Sequence, residues 1–286
     1  MKKLLVFTLL VISSLPLVAQ EIEEESFFII FEEDQKMAQI ANNPVAFAYK
    51  LYFQNVLTFG DHDQNTLYTN FVAPIYINEH VNFINRVMIP LETRNFSNTG
   101  TETSLGNIQY MGLFTYKDGW DIGNGNFTVG VGPSVVFNSN TFDDTEIAGD
   151  DNWALGASLL GVYRTKSFLG LISATPNWGI SGDKATTMMI QYSLGYYFRN
   201  GMSIVSSPII LYNDALPDGD NWIVPFGLGV GHQFAIKEKI PMNVSFGVNY
   251  NAIRPDSMDD QKWQFQVNLL FLLPSPALGK AVRYYN

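Results

Sequence analysis

Residues 222–250 alternate between apolar and polar or small positions. Trp222, Val224, Phe226, Leu228, Val230 and Phe234 fill every second place, broken only by His232, with Ile223, Pro225, Gly227, Gly229, Gly231 and Gln233 between them. After Lys237-Glu238-Lys239 the pattern restarts: Met242, Val244, Phe246, Val248 and Tyr250 against Asn243, Ser245, Gly247 and Asn249. A period of two belongs to strands whose two faces meet different surroundings. A soluble sandwich produces such a pattern in a segment or two, so repetition along the chain has to decide.

The pattern repeats. Besides this pair, segments at 46–59, 66–77, 81–91, 107–116, 126–138, 152–164, 167–178, 187–199, 202–212 and 262–273 alternate in the same way. That makes about twelve strands, each near the length a tilted membrane strand needs. Ahead of them, Glu32 to Asn42 has a helical period with Met37, Ile40 and Ala41 on one side, and stops at Asn42-Asn43-Pro44. It reads as a short periplasmic or barrel-plugging helix, with a disordered leader as the alternative.

Connection lengths alternate too. Short turns fall at 78–80, 164–166, 199–201 and 236–240, with a slightly longer one at 117–125; longer loops fall at 92–106, 138–151, 179–186, 213–220 and 251–261. Short turns at one end and long loops at the other are what an outer-membrane barrel shows. Asn200-Gly201 is a hairpin signal. Phe127 and Phe137, Trp153 and Tyr163, and Phe168 and Trp178 stand ten positions apart on the same face. Ten tilted residues rise about 25 Å, the height of the apolar band between two aromatic girdles. Pro74, Pro133, Pro176, Pro208 and Pro225 fall in or near these strands and imply bulges or displaced strand ends.

Composition moves the picture from sandwich to membrane. Aromatic residues make up 14% of the chain and charged residues only 15%. Lys2-Lys3, the apolar run Leu4 to Val11 and the small Ala19 read as a secretory signal peptide over 1–19, too short to span a bilayer. No later segment is a continuous apolar helix. Cysteine is absent, so disulfides do not hold the fold, and a net charge of −10 argues against nucleic acid as a partner. The expected organisation is therefore a signal peptide (1–19), a periplasmic or lumenal segment (20–45), a barrel (46–273) and a tail (274–286). The fold class is all-β: a transmembrane antiparallel β-barrel of about twelve strands with a short N-terminal helical segment.

Several stretches carry a resemblance. "AQIANNPVAFAYKLYFQN" (38–55), "YTNFVAPIYINEHVNFINRVMIPL" (68–91), "NFTVGVGPSVVF" (126–137), "SIVSSPIILYN" (203–213), "NWIVPFGLGVGHQF" (221–234) and "VNYNAIRP" (248–255) resemble, in order, the MetA-pathway phenol-degradation family of bacterial outer-membrane proteins. Its members often carry the labels "transporter" or "neuromedin U". The resemblance implies an outer-membrane barrel with a role in small-molecule uptake, and brings no catalytic residues with it. The tail after Leu273 departs from the usual aromatic-ended last strand, so Phe271 would have to serve with the tail trailing behind.

With the apolar set toward lipid, the opposite set lines the lumen: Asn82, Arg86, Asn107, Gln109, Thr115, Gln191, Ser193, Asn243, Asn249, Gln264, Gln266 and Asn268. These groups either border a narrow path for neutral or weakly polar solutes, or hydrogen-bond one another and close the interior. The three histidines, His62, His80 and His232, do not assemble into a hydrolase triad on this topology, so no enzyme and no cofactor is expected. Acidic loops, above all Asp143, Asp144, Glu146, Asp150 and Asp151, offer hard oxygens to Ca²⁺ or Mg²⁺ without any EF-hand spacing; solvated loops are the commoner case. "GVGPS" and "GLGVG" lie in strands with no following helix and fail as phosphate loops. Glycines at inward positions should instead make room for side chains from across the barrel. The partners expected are outer-membrane lipid and a small-molecule solute. The function expected is a channel, with a closed structural or surface-interaction barrel presenting its acidic loops as the alternative.

Overall fold

The computed structural model describes residues 34–60, 63–96, 100–142, 152–182, 184–217, 219–236, 240–258, 260–275 and 277–278. The signal peptide expected over 1–19 and the acidic cluster 143–151 lie outside these residues, as does His62.

Among the described residues one α-helix, α1 (Asp34–Asn42), precedes fifteen strands: β1 (Lys50–Phe59), β2 (Gln64–Tyr76), β3 (Val81–Phe96), β4 (Gly100–Leu105), β5 (Ile108–Tyr116), β6 (Trp120–Ile122), β7 (Gly125–Phe137), β8 (Asn152–Arg164), β9 (Phe168–Gly182), β10 (Thr187–Tyr197), β11 (Met202–Ser206), β12 (Ile209–Asn213), β13 (Trp222–Ile236), β14 (Ile240–Ile253) and β15 (Trp263–Leu272). β4, β5 and β6 are successive pieces of one stave, and β11 and β12 are two pieces of another. Both pieces of the latter lie between β10 and β13. The wall thus has twelve antiparallel staves. It closes where Lys50 pairs with Leu272 and Phe59 with Trp263, leaving no free edge.

The alternation sorts residues between two very different surroundings. Leu228, Ile172, Leu159, Phe246, Phe226 and Val131 are all exposed on the outside, while Gln54, Asn70, Ser134, Ser158 and Thr175 are buried within. A protein in water would have the opposite reason to arrange them. This one must satisfy hydrocarbon outside and has only its own interior for its amides. Aromatic rings cluster at both rims. Tyr116, Trp120 and Phe127 stack in series near the chain termini, with 5.3 Å and 6.4 Å between centroids. Phe137 and Trp153 (5.5 Å), Tyr250 and Trp263 (5.1 Å), and Tyr212 and Trp222 (4.8 Å) sit at the opposite, loop end. The pairs expected ten residues apart do reach opposite rims: Phe127 faces Tyr163 across the β7–β8 ladder, and Phe137 touches Trp153.

Some boundaries differ from expectation. The long loop expected over 92–106 is mostly wall, because β3 runs on to Phe96 and β4 returns beside it. Both faces there are polar, with Glu92, Thr93, Arg94, Thr101, Glu102 and Thr103 in sequence. Above the lipid band neither face needs to be apolar, so the period-two signal vanishes although the strand continues. The turn expected at 117–125 likewise contains β6, after Gly119 at φ 61°, and the chain reverses at Gly123, φ 62°. Asn200-Gly201 does make a tight turn, but only Gly201 has positive φ and its N–H bonds to Phe198 O. That geometry is a type I turn ending in a glycine bulge, not the type I′ turn that this dipeptide favours. Among the prolines, Pro208 falls at the β11–β12 interruption and Pro225 at a register shift. Pro74, Pro133 and Pro176 keep register with Ile84, Ala157 and Met188.

The inward glycines serve a different purpose from the one expected. A Cβ on Gly132 would lie 1.9 Å from Gly112 O, one on Gly227 2.0 Å from Val248 O, and one on Gly156 2.0 Å from Pro176 O. The space is taken by the backbone of the neighbouring stave, not by side chains from across the barrel. These residues let a strongly coiled wall curve into a small closed cylinder.

Candidate solute cavity and helical plug

Helix α1 lies inside the barrel end that carries the chain termini. Met37, Ile40 and Ala41 join Ala46, Ala48, Leu270, Leu272 and Leu278 in one buried cluster. Ala38 packs with Val72, Ile84, Leu113, Leu160, Val162, Leu169 and Tyr197 in another. The wall therefore supplies an apolar collar at this level, and the helix is apolar on two sides to match it. Of the two readings of this segment, the plugging one is the arrangement present. Leu278, the last described residue, is 1% exposed and packs in the same cluster as the plug; the rest of the tail lies outside the described residues.

Polar side chains tie the plug to the turns around it. Gln35 Nε2 donates to Ser167 Oγ at 3.1 Å and to Tyr197 O. Gln39 Nε2 donates to Thr165 O and Lys166 O, both at 3.1 Å. The firmest tie is Lys50, the first residue of β1, which points inward. Its Nζ donates to Ile40 O at 2.7 Å, Ala41 O at 3.2 Å and Asn43 O. These carbonyls lie at the helix end, where the backbone runs out of helical donors and the dipole favours a cation.

Helix α1 comes nearest to β10, β13, β14 and β15, while Ala38 and Gln39 reach the β8–β9 side. Beside it opens a groove of about 670 Å³, lined by Gln35, Lys36, Gln39, Asp121, Asn126 and Arg164 among others. Above the plug lies a cavity of about 120 Å³ between Lys50, Tyr52, Asn70, Arg86, Met111, Ser158, Leu160, Leu171, Thr175 and Met189. Toward the loop end a further space of about 260 Å³ is bordered by Tyr68, Met88, Glu92, Asn107, Gln109, Asn177 and Thr187. There Arg94 pairs with Glu92 at 2.6 Å and lies 4.6 Å over the Phe142 ring.

All twelve polar residues singled out from the sequence fall in the inward register, Ser193 beside the central cavity among them, but they do not form one surface. Arg86 and Gln191 border the central cavity, and Asn107 and Gln109 the upper one. Asn82 is buried near the plug, where Thr115 Oγ1 donates to its backbone oxygen. Asn243, Asn249, Gln264, Gln266 and Asn268 belong to the opposite wall, on β14 and β15. Most of that wall bonds to itself. Asn268 Nδ2 donates to Ser245 Oγ at 2.9 Å, Gln266 Nε2 to Asn268 Oδ1 at 3.0 Å, Asn249 Nδ2 to Gln266 Oε1 at 3.4 Å and Tyr52 Oη to Asn268 Oδ1 at 3.0 Å. Asn268 is the hub. Asn268→Leu should cost about 2 kcal/mol in denaturant unfolding from lipid vesicles, because it leaves the buried Ser245, Gln266 and Tyr52 groups without their partner. A loss within experimental scatter of zero would mean that water replaces the amide.

Sequence reading missed Lys50, Tyr52, Asn70 and the methionines of the cavity. Lys50 had a usable signal: it is a lone cation in the otherwise uncharged run "AFAYKLYFQN", and an ionisable residue at membrane depth commonly has a specific partner. The histidines stand apart from this interior. His80 is in an exposed turn with Glu79 and Asp118 at 3.6 Å and 3.5 Å, and His232 lies on the outer face stacked on Phe234.

No protein-family model matches the chain, and no curated protein matches it. Among solved structures, an outer membrane channel from Pseudomonas putida F1 superposes with a TM-score of 0.56 at 12% identity, over 80% of this chain and 98% of that one. The transport unit of the autotransporter AIDA-I from Escherichia coli gives 0.46 at 9% identity, over 85% and 97%. Outer membrane phospholipase A from Escherichia coli gives 0.44 at 11%, over 83% and 98%. At such identities the likeness is one of architecture, and this chain has the architecture of an outer-membrane β-barrel.

Proposed function

We propose that this protein is a channel that passes small molecules across the outer membrane, of the kind its resemblance to the MetA-pathway phenol-degradation proteins implies. Residues 1–19 export the chain, 20–45 include the plug, 46–273 form the wall and 274–286 are a tail whose Leu278 packs against the plug. The end holding both termini faces the periplasm, and the loops face outward. The observation that carries this reading is the space beside the plug: between α1 and the wall a polar groove lined by Gln35, Lys36, Gln39, Asp121, Asn126 and Arg164 stays unfilled. Above it the interior continues as the two cavities. A helix built only to seal the barrel would be expected to fill the collar evenly.

The self-bonded amide wall of β14, β15 and β1 favours the rival reading, a closed barrel that serves through its loops. Planar-bilayer recording separates the two. The channel reading expects discrete conductance steps from folded protein, and flux that persists after residues 139–150 are deleted. Folded protein that carries neither ions nor solute would end it. The proposal involves no chemical step. Neither His80 nor His232 hydrogen-bonds a serine among the described residues, and they lie on an exposed turn and on the lipid side. Divalent cations at the acidic loops stay part of the proposal as bystanders to the outer leaflet, tested by whether chelation alters conductance.

A further inference from the structure

The central cavity contains a guanidinium without a counter-ion. Arg86 points inward from β3, and its Nε donates to Asn70 Oδ1 at 2.9 Å. Among the described residues no carboxylate pairs with it. Glu92, six residues along the same inward register, is held by Arg94 at 2.6 Å. Asn70 is wholly buried, and its Nδ2 has no acceptor. The bond from Arg86 Nε fixes which way that amide faces, since a flip would set donor against donor. Lys50 borders the same cavity, but its N–H groups are spent on the helix carbonyls, so it contributes positive potential and no free donor. The cavity therefore has a net positive corner with unused donors, walled off from water on the sides.

A buried charge left unpaired is costly, and wall positions that could carry Asp or Glu instead carry Ser158, Thr175, Ser193 and Gln191. The rest of the lining is mostly apolar, with Met111, Met189, Leu160 and Leu171 beside the polar Asn42, Ser173 and Ser207. Its volume of about 120 Å³ is close to that of apolar protein cavities of about 150 Å³ that hold a benzene ring. One charge, a planar fork of donors and an apolar chamber of single-ring size together specify a ligand.

We propose that this cavity is a binding site for a small monocarboxylate with an apolar body, the carboxylate against Arg86 and Asn70 and the body against Met111, Met189 and Leu171. The inference deepens the channel reading and rests on it for its biological meaning. It also changes the class of solute from neutral to anionic. Its test is binding, so that its failure is distinct from a failure of transport. Titrate the full-length protein in detergent micelles calorimetrically with benzoate, benzyl alcohol and acetate. Benzoate is expected to bind at least tenfold more tightly than benzyl alcohol, which lacks the charge, and than acetate, which lacks the body. Arg86→Gln should weaken benzoate at least tenfold and leave benzyl alcohol unchanged, while Arg86→Lys keeps part of the affinity. Equal binding of benzoate and benzyl alcohol overturns the proposal on the unaltered protein alone, whether or not the variants fold. So does the absence of benzoate binding, or an Arg86→Gln variant that binds benzoate as before. Acetate binding as tight as benzoate removes the apolar body from the claim.

Discussion

Lys50→Met is expected to raise the conductance of the reconstituted protein several-fold. The side chain is 3% exposed and its ammonium serves Ile40 O, Ala41 O and Asn43 O together. Methionine fills much the same volume but donates nothing. Each abandoned carbonyl would cost about 1–3 kcal/mol if it stayed buried and unpaired. Removing a buried charge returns part of that, so a net weakening of plug docking by about 3 kcal/mol is reasonable. That corresponds to roughly a hundredfold change in the ratio of docked to undocked plug. Lys50→Arg keeps the charge and should stay near the original conductance. Because the chain has no cysteine, Ala38→Cys gives a clean second readout. Position 38 is fully buried against the collar, so a thiol there should be protected in the parent and become reactive in the Lys50→Met background. Unchanged conductance together with an unreactive thiol would show that Lys50 does not hold the helix in place.

Leu228→Arg should destabilise the folded barrel by about 2–4 kcal/mol when unfolding is measured from lipid vesicles. Leu228 is 67% exposed and sits mid-strand on the outer face of β13 between Phe226 and Val230. In a water-soluble protein an exposed leucine is among the cheapest residues to replace, and the change would stay within about 0.5 kcal/mol. The two surroundings thus give answers that differ well beyond measurement error. The penalty should shrink toward the rims, since a charged side chain there can reach the headgroups. Ile236→Arg, near the end of the same strand, should therefore cost less than Leu228→Arg. Equal, small effects at both positions would remove the membrane from the account.

The structure places positive charge at both the cavity and the plug, and the Lys50 and Arg86 variants probe different contacts within one interior. Lys50 governs whether the helix stays seated. Arg86, on a different strand, faces the space above it. Ligand binding at Arg86 need not move the plug, and the calorimetric and conductance measurements keep the two questions apart.

Much of the wall was legible in the chain itself. Alternation between hydrocarbon and interior is a local property, written residue by residue, and it located about twelve staves and the outward face of most of them. It failed where the physical contrast fails. At Glu92, Thr93 and Arg94 and at Thr101, Glu102 and Thr103 both faces carry polar residues, so strands β3 and β4 continue unannounced. Near the plug, Ile84, Leu113, Leu160, Val162 and Leu169 point inward yet are apolar, because the interior there is a helix and not water. A rule that assigns polar residues to the inside passes over that collar. The glycines show the same limit: sequence marks them as small, but only the folded wall reveals that Gly132 and Gly227 yield to a neighbouring backbone.

What the sequence determined by itself is the environment of each strand face, since burial in lipid or in an enclosed interior imposes its pattern on consecutive residues. What tertiary structure alone decided is which inward groups meet. Lys50 reaches the end of α1 only because the first stave closes against the last beside the inserted helix. The same closure brings Tyr52 to Asn268, and register leaves Arg86 with Asn70 and, among the described residues, no carboxylate. Such meetings depend on how the wall and the helix pack together, and the period-two pattern does not record them.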